Sequence, residues 1–516
     1  MSEERDYARR FVRGTVMVFL GLIAAGFIAF LVRVFLARTL HDEAYGVFYT
    51  AIALVSFFGL FRDLGLGLAL TKLVSEFQVH ERFDEIKSSM LLTIVFSASL
   101  SLGIALTIYF LSGTIASSFF FKNPAIPPAP VLRILSIWFF LSIFYLVFQS
   151  TFVGLQDMRA RALIEFLSVS LILVFSVIFV WALGLGVRGA AYAYVAAALV
   201  MGGMTFLLLR MWYPRVLRAH STLSWELGRR LFAFALPVFV GGIGALVLGY
   251  TDILMIAAFR TPVEVGFYQV ALPTAQVLSP ISLSLTTVLF PMISELWTRG
   301  KRKLAGKALY FLIKFSFILI LPLAFVLIAF PEIVIRLLFG VEYLPGAAAL
   351  RILAGAAIVS TLSGILATAM AGIGKPIINT EVTGIMAGFN PIGNLLLIPI
   401  YGIEGAAIAT FFSHLLGLGL LLYYTREIMG LTPPALSLLK TAVGGILTLF
   451  LVFGLKSFLV MSAWLEAFVV MMLSLAFYAI WILTTKAVSR NDLVLIKRIT
   501  PMPKWLLRAV GRFVGK

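Results

Sequence analysis

Residues 33–51 read RVFLARTLHDEAYGVFYTA, and residues 252–271 read DILMIAAFRTPVEVGFYQVA. Each stretch places one charge at the head of an apolar run, then a short polar turn with an acidic residue, then a glycine and aromatics that open a second apolar run. The two are offset by about 220 positions, and two further pairs follow in the same order. VLRILS at 131–136 matches ALRILA at 349–354, which sets Arg133 opposite Arg351 at an offset of 218. Gly186, Gly189, Ala190, Ala191 and Ala193 recur as Gly402, Gly405, Ala406, Ala407 and Ala409 at an offset of 216. Three separated matches with a slowly drifting offset define an internal duplication. Each copy holds six apolar runs, so both copies share one orientation and form parallel repeats about an axis along the membrane normal.

Composition names the solvent. With 61% hydrophobic residues, 12% charged residues and a mean hydropathy of +1.05 over 516 residues, a soluble globular chain is excluded. A membrane span needs about 20 apolar residues. Fourteen such runs lie between polar punctuation, the first near 14–37 and the last near 464–485. The sequence therefore predicts an all-α polytopic membrane protein. Residues 1–225 form an N-terminal lobe of six spans, 226–430 a C-terminal lobe of six, 431–486 two extra spans, and 487–516 a basic amphipathic tail. The N-terminal apolar run is too long for a signal-peptide core and is expected to be retained.

A net charge of +18 would suggest nucleic acid in a soluble chain. Here the charges sort by loop. With the N-terminus placed inside, roughly 30 of the 41 Lys and Arg fall on inner segments and roughly 8 on outer ones. Both termini are therefore expected in the cytoplasm of a multi-pass protein of the cytoplasmic membrane, and nucleic acid is not a partner. The tail carries Lys504, Arg508, Arg512 and Lys516 at every fourth position, a stripe suited to an anionic leaflet.

Three cations remain inside the spans: Arg33, Arg62 and Lys314. A charge at bilayer depth costs about 2.5–3.5 kcal/mol on insertion scales and needs a partner or a watery cavity. Arg62 and Asp63 point about 100° apart on a helix and need not pair with each other. Lys314 either snorkels to the head groups, the favoured reading, or lines a cavity. Asp252 lies within one position of equivalence with Arg33, so the two are expected to face each other as a gate between the lobes. Glu165 and Glu381 stand level by the offset of 216 and are candidates for ion coupling. Asn390 and Asn394 share a helix face and either pack helices or contact a glycan.

The chemistry of an enzyme is absent from the pattern. No GxxxxGK[ST] phosphate loop occurs, no metal-ligand cluster appears, and the chain has 4 His and no Cys. No cofactor is expected.

Three stretches together resemble a known family: LHDEAYGVFYTAIALVSFFGLFRDLGLGLAL at 40–70, DILMIAAFRTPVEVGFYQVA at 252–271 and NLLLIPIYGIEGAAIATFFSH at 394–414. They are similar to the polysaccharide transporter, or oligosaccharide flippase, family of the multidrug/oligosaccharidyl-lipid/polysaccharide exporter superfamily. The resemblance implies two six-helix lobes in a V around a central cavity open alternately to either side. It also implies transport of a polyprenyl-phosphate- or pyrophosphate-linked oligosaccharide to the outer leaflet, with membrane lipids and glycan-assembly enzymes as partners. A lipid phosphate would then meet Arg33, Arg62 and Lys314, with Arg able to grip it bidentately. A negative-inside potential would favour outward movement of the anion by about 2.3 kcal/mol per charge per 100 mV. The alternatives are a multidrug antiporter for small cations, using Asp252 and Glu381, and a non-transporting scaffold of a glycan-assembly complex.

Overall fold

The computed structural model describes residues 2–119, 125–222, 224–430, 435–458, 463–485 and 487. The basic stripe at 504–516 therefore lies outside the described residues. Among those described, 91% are helical and none is in a strand. Lipid leaves a backbone little other choice, because each N–H and C=O has to be satisfied within its own segment.

Two compact units divide the chain, one of residues 1–270 with 394–403, the other of 271–393 with 404–516. In chain order the first unit holds α1 (Ser2–Phe57), α2 (Gly59–Asp63), α3 (Leu66–Val79), α4 (Phe83–Phe119) and α5 (Pro128–Gly154). It continues with α6 (Met158–Ser176), which runs into a π-helical turn at Val177–Ala182, then α7 (Gly186–Trp212), α8 (Pro214–Arg218), α9 (Trp225–Phe259) and most of α10 (Pro262–Gln276). Its core is an aliphatic and aromatic layer shared by α3, α5, α6, α7 and α9, including Leu70, Phe77, Ile143, Phe152, Ile164 and Leu231. The unit boundary at 270 is a different partition from the lobe boundary expected at 225, since α9 packs on α3 and α1.

The second unit holds α11 (Ser279–Thr298), α12 (Arg302–Ala329), α13 (Pro331–Leu338), a 3₁₀ segment at Val341–Gly346, α14 (Ala347–Gly372), most of α15 (Ile377–Met429), α16 (Ala435–Phe458) and α17 (Ala463–Thr484). Helices α11 and α12 both pack on α14. The two helices beyond the duplication belong to the same body, with Tyr478 and Ile482 of α17 closing on Leu321 and Phe325 of α12.

Ten helices among the described residues are long and apolar enough to cross a membrane. Two of them, of 43 and 53 residues, are far longer than a bilayer requires. Each contains one non-helical residue, His41 (φ 64°, ψ 173°) in α1 and Gly402 (φ 59°, ψ −133°) in α15. The ten helices do not by themselves establish the expected fourteen spans, because composition and length cannot say how often each bent helix crosses.

The duplication is written in the backbone. The second half of α1 ends at Phe57 and α10 ends at Gln276, so both runs break near equivalent points of the repeat. Helices α5 and α14 are 27 and 26 residues long, with Arg133 and Arg351 in their second turns. Gly186 and Gly402, 216 apart, both take a left-handed φ, 56° and 59°. Only glycine enters that region without strain.

The duplicated glycines Gly46 and Gly266 meet each other. A Cβ on Gly46 would stand 1.8 Å from the Pro262 carbonyl oxygen, and one on Gly266 would stand 2.7 Å from the Asp42 carbonyl oxygen. Asp42 and Pro262 are themselves equivalent in the repeat, so the contact is self-complementary, like the isologous interface of a two-fold dimer. Tyr45, Val47, Phe48, Val265 and Tyr268 around it are wholly buried. Gly46→Ala and Gly266→Ala are each expected to lower stability by about 1–3 kcal/mol through overpacking, against the roughly 0.5–1 kcal/mol that alanine ordinarily adds to a helix. Gly241→Ala, with nothing within 4 Å of its added Cβ, is the control. Thermal unfolding of the purified protein in detergent measures all three, and equal melting for Gly46→Ala and Gly241→Ala would refute the close contact.

Candidate functional site

The break between α2 and α3 builds the first part of the site. Leu64 and Gly65 both take left-handed conformations (φ 47° and 79°), and this ends α2 just after Arg62 and Asp63. Asp63 then caps the new helix, its Oδ1 accepting from the Gly67 amide at 3.0 Å. Arg62 turns the other way. Its Nη1 donates to the Phe139 carbonyl and to Ser142 Oγ, both at 2.7 Å, and the guanidinium lies 4.5 Å above the Phe139 ring. Its buried Nε has no hydrogen-bond partner. The adjacent charges do not pair with each other, as the 100° spacing of a helix implies.

Both side chains line a cavity of about 780 Å3 inside the first unit, between α2, α3, α5, α6 and α9. Arg161, Glu165, Gln149, Ser150, Thr71, Trp138 and Tyr250 complete its polar and aromatic wall. Glu165 Oε2 accepts from Gln149 Nε2 at 2.9 Å. Arg161 and Glu165 share the cavity, yet among the described residues neither forms a salt bridge. The cavity thus presents two guanidiniums and two carboxylates, only partly committed to protein partners. Neither Arg161 nor Gln149 stands out in the sequence: Arg161 precedes Glu165 by one helical turn on α6, and Gln149 reaches it from α5.

A second polar cluster surrounds the opening stretch. Arg33 Nη1 donates to Gln269 Oε1 at 3.0 Å, and its guanidinium lies 4.6 Å from the Tyr49 ring centre. The Tyr45 ring stands 4.6 Å from that of Tyr49, and the Tyr45 hydroxyl reaches the Gln269 carbonyl at 3.5 Å. Asp252, 5% exposed, accepts from the Tyr268 hydroxyl at 2.6 Å and from Asn394 Nδ2 at 2.7 Å. The direct Arg33–Asp252 pair expected from the repeat is not formed in this structure. The guanidinium finds an amide and a ring, and the carboxylate accepts from a phenol and an amide.

The remaining candidates separate. Asn390 Nδ2 donates to Thr410 Oγ1 at 3.3 Å, while Asn394 serves Asp252, so the two asparagines of one helix face have different tasks. Lys314 is only 4% exposed, which replaces the expected snorkelling with burial. Glu381 is exposed. Arg133 and Arg351, equivalent in the repeat, both act locally: Arg133 Nε donates to Ser112 Oγ at 2.8 Å, and Arg351 pairs with Glu332.

The known proteins that this helical membrane chain resembles are transporters and flippases, not enzymes. The family model for polysaccharide biosynthesis proteins matches residues 11–297, and that for the lipid II flippase MurJ matches 226–479. The chain belongs to the polysaccharide biosynthesis protein family. An uncharacterized membrane protein of Methanocaldococcus jannaschii is 30% identical over 420 residues, 79% of this chain and 82% of its own. A probable low-salt glycan biosynthesis flippase of Haloferax volcanii is 24% identical over 246 residues, 48% of this chain and 52% of its own. Among solved structures, the inward closed conformation of the lipid II flippase MurJ superposes with a TM-score of 0.74 at 15% identity, over 91% of this chain and 98% of that one. An inward-facing multidrug resistance MATE transporter gives 0.65 at 18% identity, over 78% and 94%. The fold is that of the MOP superfamily.

The buried carboxylate makes one energetic expectation explicit. A hydrogen bond to a charged group contributes about 1.5–3 kcal/mol. Tyr268→Phe is therefore expected to lower stability by an amount of that order, and a double-mutant cycle with Asp252→Asn should return a coupling of similar size. Additive losses in chemical denaturation would show that the hydroxyl does not serve the carboxylate.

Proposed function

We propose that this protein is a flippase that moves a polyprenyl-phosphate- or pyrophosphate-linked oligosaccharide from the inner to the outer leaflet of the cytoplasmic membrane by alternating access. The observation that carries the reading is the cavity of about 780 Å3 that Arg62 lines together with Asp63, Arg161 and Glu165. Ligand pockets of about 300–1,000 Å3 hold a drug-sized group, so the space suits a phosphorylated sugar better than a bare ion. The named activities of the relatives, a glycan biosynthesis flippase and a lipid II flippase, favour the same class.

In this reading residues 1–225 and 226–430 act as two lobes, 431–486 as accessory spans and 487–516 as a basic tail on the inner leaflet, with both termini in the cytoplasm. Arg62 takes the lipid phosphate on the inner side. The Gly46–Gly266 contact, with Arg33 held by Gln269, closes the outer side, and a lipid phosphate arriving at Arg33 would compete with that amide for the guanidinium. Asp252 serves as an ion-coupling or gating carboxylate beside Asn394, and Glu381 is a weaker candidate because of its exposure. Lys314 is too buried to reach a head group in this conformation. Glycan-assembly enzymes on either face are the expected partners.

Transport of a labelled polyprenyl-pyrophosphate-linked oligosaccharide in proteoliposomes tests the proposal against proton-driven efflux of a cationic dye. Uptake of the glycolipid without dye efflux is expected. Arg62→Ala is expected to weaken capture of the glycolipid about tenfold or more, the loss of a charged hydrogen bond. Unchanged affinity would remove Arg62 from the phosphate site, and dye efflux alone would replace the flippase with an antiporter.

A further inference from the structure

The charge balance of the cavity asks for more than a phosphate. A pocket selected for a phosphoryl group alone would concentrate cations, as negative charge nearby weakens anion capture. This one carries Arg62 and Arg161 against Asp63 and Glu165, a formal sum of zero. Asp63 has a structural reason to be there, since it caps α3 through the Gly67 amide. Glu165 has none of that kind. It lies in the third turn of α6, whose cap is Asp157, bonding Ala160 N at 3.0 Å. Only its Oε2 is engaged, by Gln149, which orients the carboxylate from across the cavity wall, while Oε1 makes no hydrogen bond among the described residues.

A carboxylate oriented by an amide, with a second oxygen open to a wet pocket and with Trp138 and Tyr250 on the same wall, is the chemistry that receives sugar hydroxyls. We infer that Glu165 is a specificity-determining residue for the sugar next to the lipid phosphate: it accepts hydroxyl hydrogen bonds from a neutral sugar and repels a sugar that carries a carboxylate. Gln149 is its positioning residue. The inference rests on the flippase reading and assigns to Glu165 a role in sugar selection in place of ion coupling. Discrimination of this kind works through repulsion of the wrong ligand as much as attraction of the right one.

The test compares labelled polyprenyl-phosphate glucose with labelled polyprenyl-phosphate glucuronate in proteoliposomes. Wild-type protein is expected to move the neutral lipid about tenfold or more faster, the effect of one charge-assisted hydrogen bond gained or opposed. Glu165→Gln keeps the shape and loses the charge, and is expected to bring the two rates to within about threefold, mainly by raising glucuronate transport. Glu165→Asp keeps the charge and is expected to retain the preference at a lower rate for both. A purely structural or ion-coupling role would lower both lipids equally in Glu165→Gln, and that result, or an absent preference in the wild type, overturns the inference while leaving the flippase reading intact. Wild-type protein that moves neither lipid overturns both.

Discussion

A guanidinium inside a bilayer has to be answered by protein or by water that protein has admitted, because lipid offers it nothing. Arg33 and Arg62 are answered in the two different ways. Arg33 is closed in by the Tyr49 ring and the Gln269 amide, so its charge is spread over protein. Arg62 is held by a helix carbonyl and a serine, and its side chain lines a cavity. The first arrangement holds helices together, and the second leaves a guanidinium beside a cavity. Much of the rest follows from that division, including the left-handed break at Leu64 and Gly65 that separates Arg62 from the helix which Asp63 caps.

The fold was largely legible because membrane helices announce themselves by composition and because the chain repeats itself. Arg133 and Arg351 occupy matching turns of α5 and α14, and Gly186 and Gly402 share a left-handed φ, so the small-residue matches in the sequence were marks of real backbone geometry. Span counting was less secure. Bent helices such as Ser2–Phe57 and Ile377–Met429 contain one non-helical residue each, and hydropathy has no term for a single dihedral.

The site was legible in its residue types and much less so in its pairings. Charges in apolar runs pointed to Arg33, Arg62 and Asp252 as residues needing partners, and their hydrogen-bond partners include the neutral groups of Gln269, Ser142, Tyr268 and Asn394. Opposite charge is an attractive rule for matching residues from sequence, but desolvation makes neutral donors competitive with an ion pair in a dry interior. Lys314 shows the same limit from the other side, since a flexible stem permits snorkelling and only packing decides whether it happens.

The glycine contact has a consequence for how the chain came to be asymmetric. A surface that meets its own copy is what lets a half-length ancestor pair with itself, and in such a dimer every residue beside the axis is present twice with no freedom to differ. Once the halves are fused, each position gains a second, independent version. Position 49 and its counterpart 269 differ in this way: one is an aromatic ring and the other an amide. Both now attend the same guanidinium, Tyr49 by its face and Gln269 by its oxygen, and Arg33 itself has no arginine as its counterpart. Fusion turned a symmetric seam into a place where one charge can be held from two sides by two different chemistries.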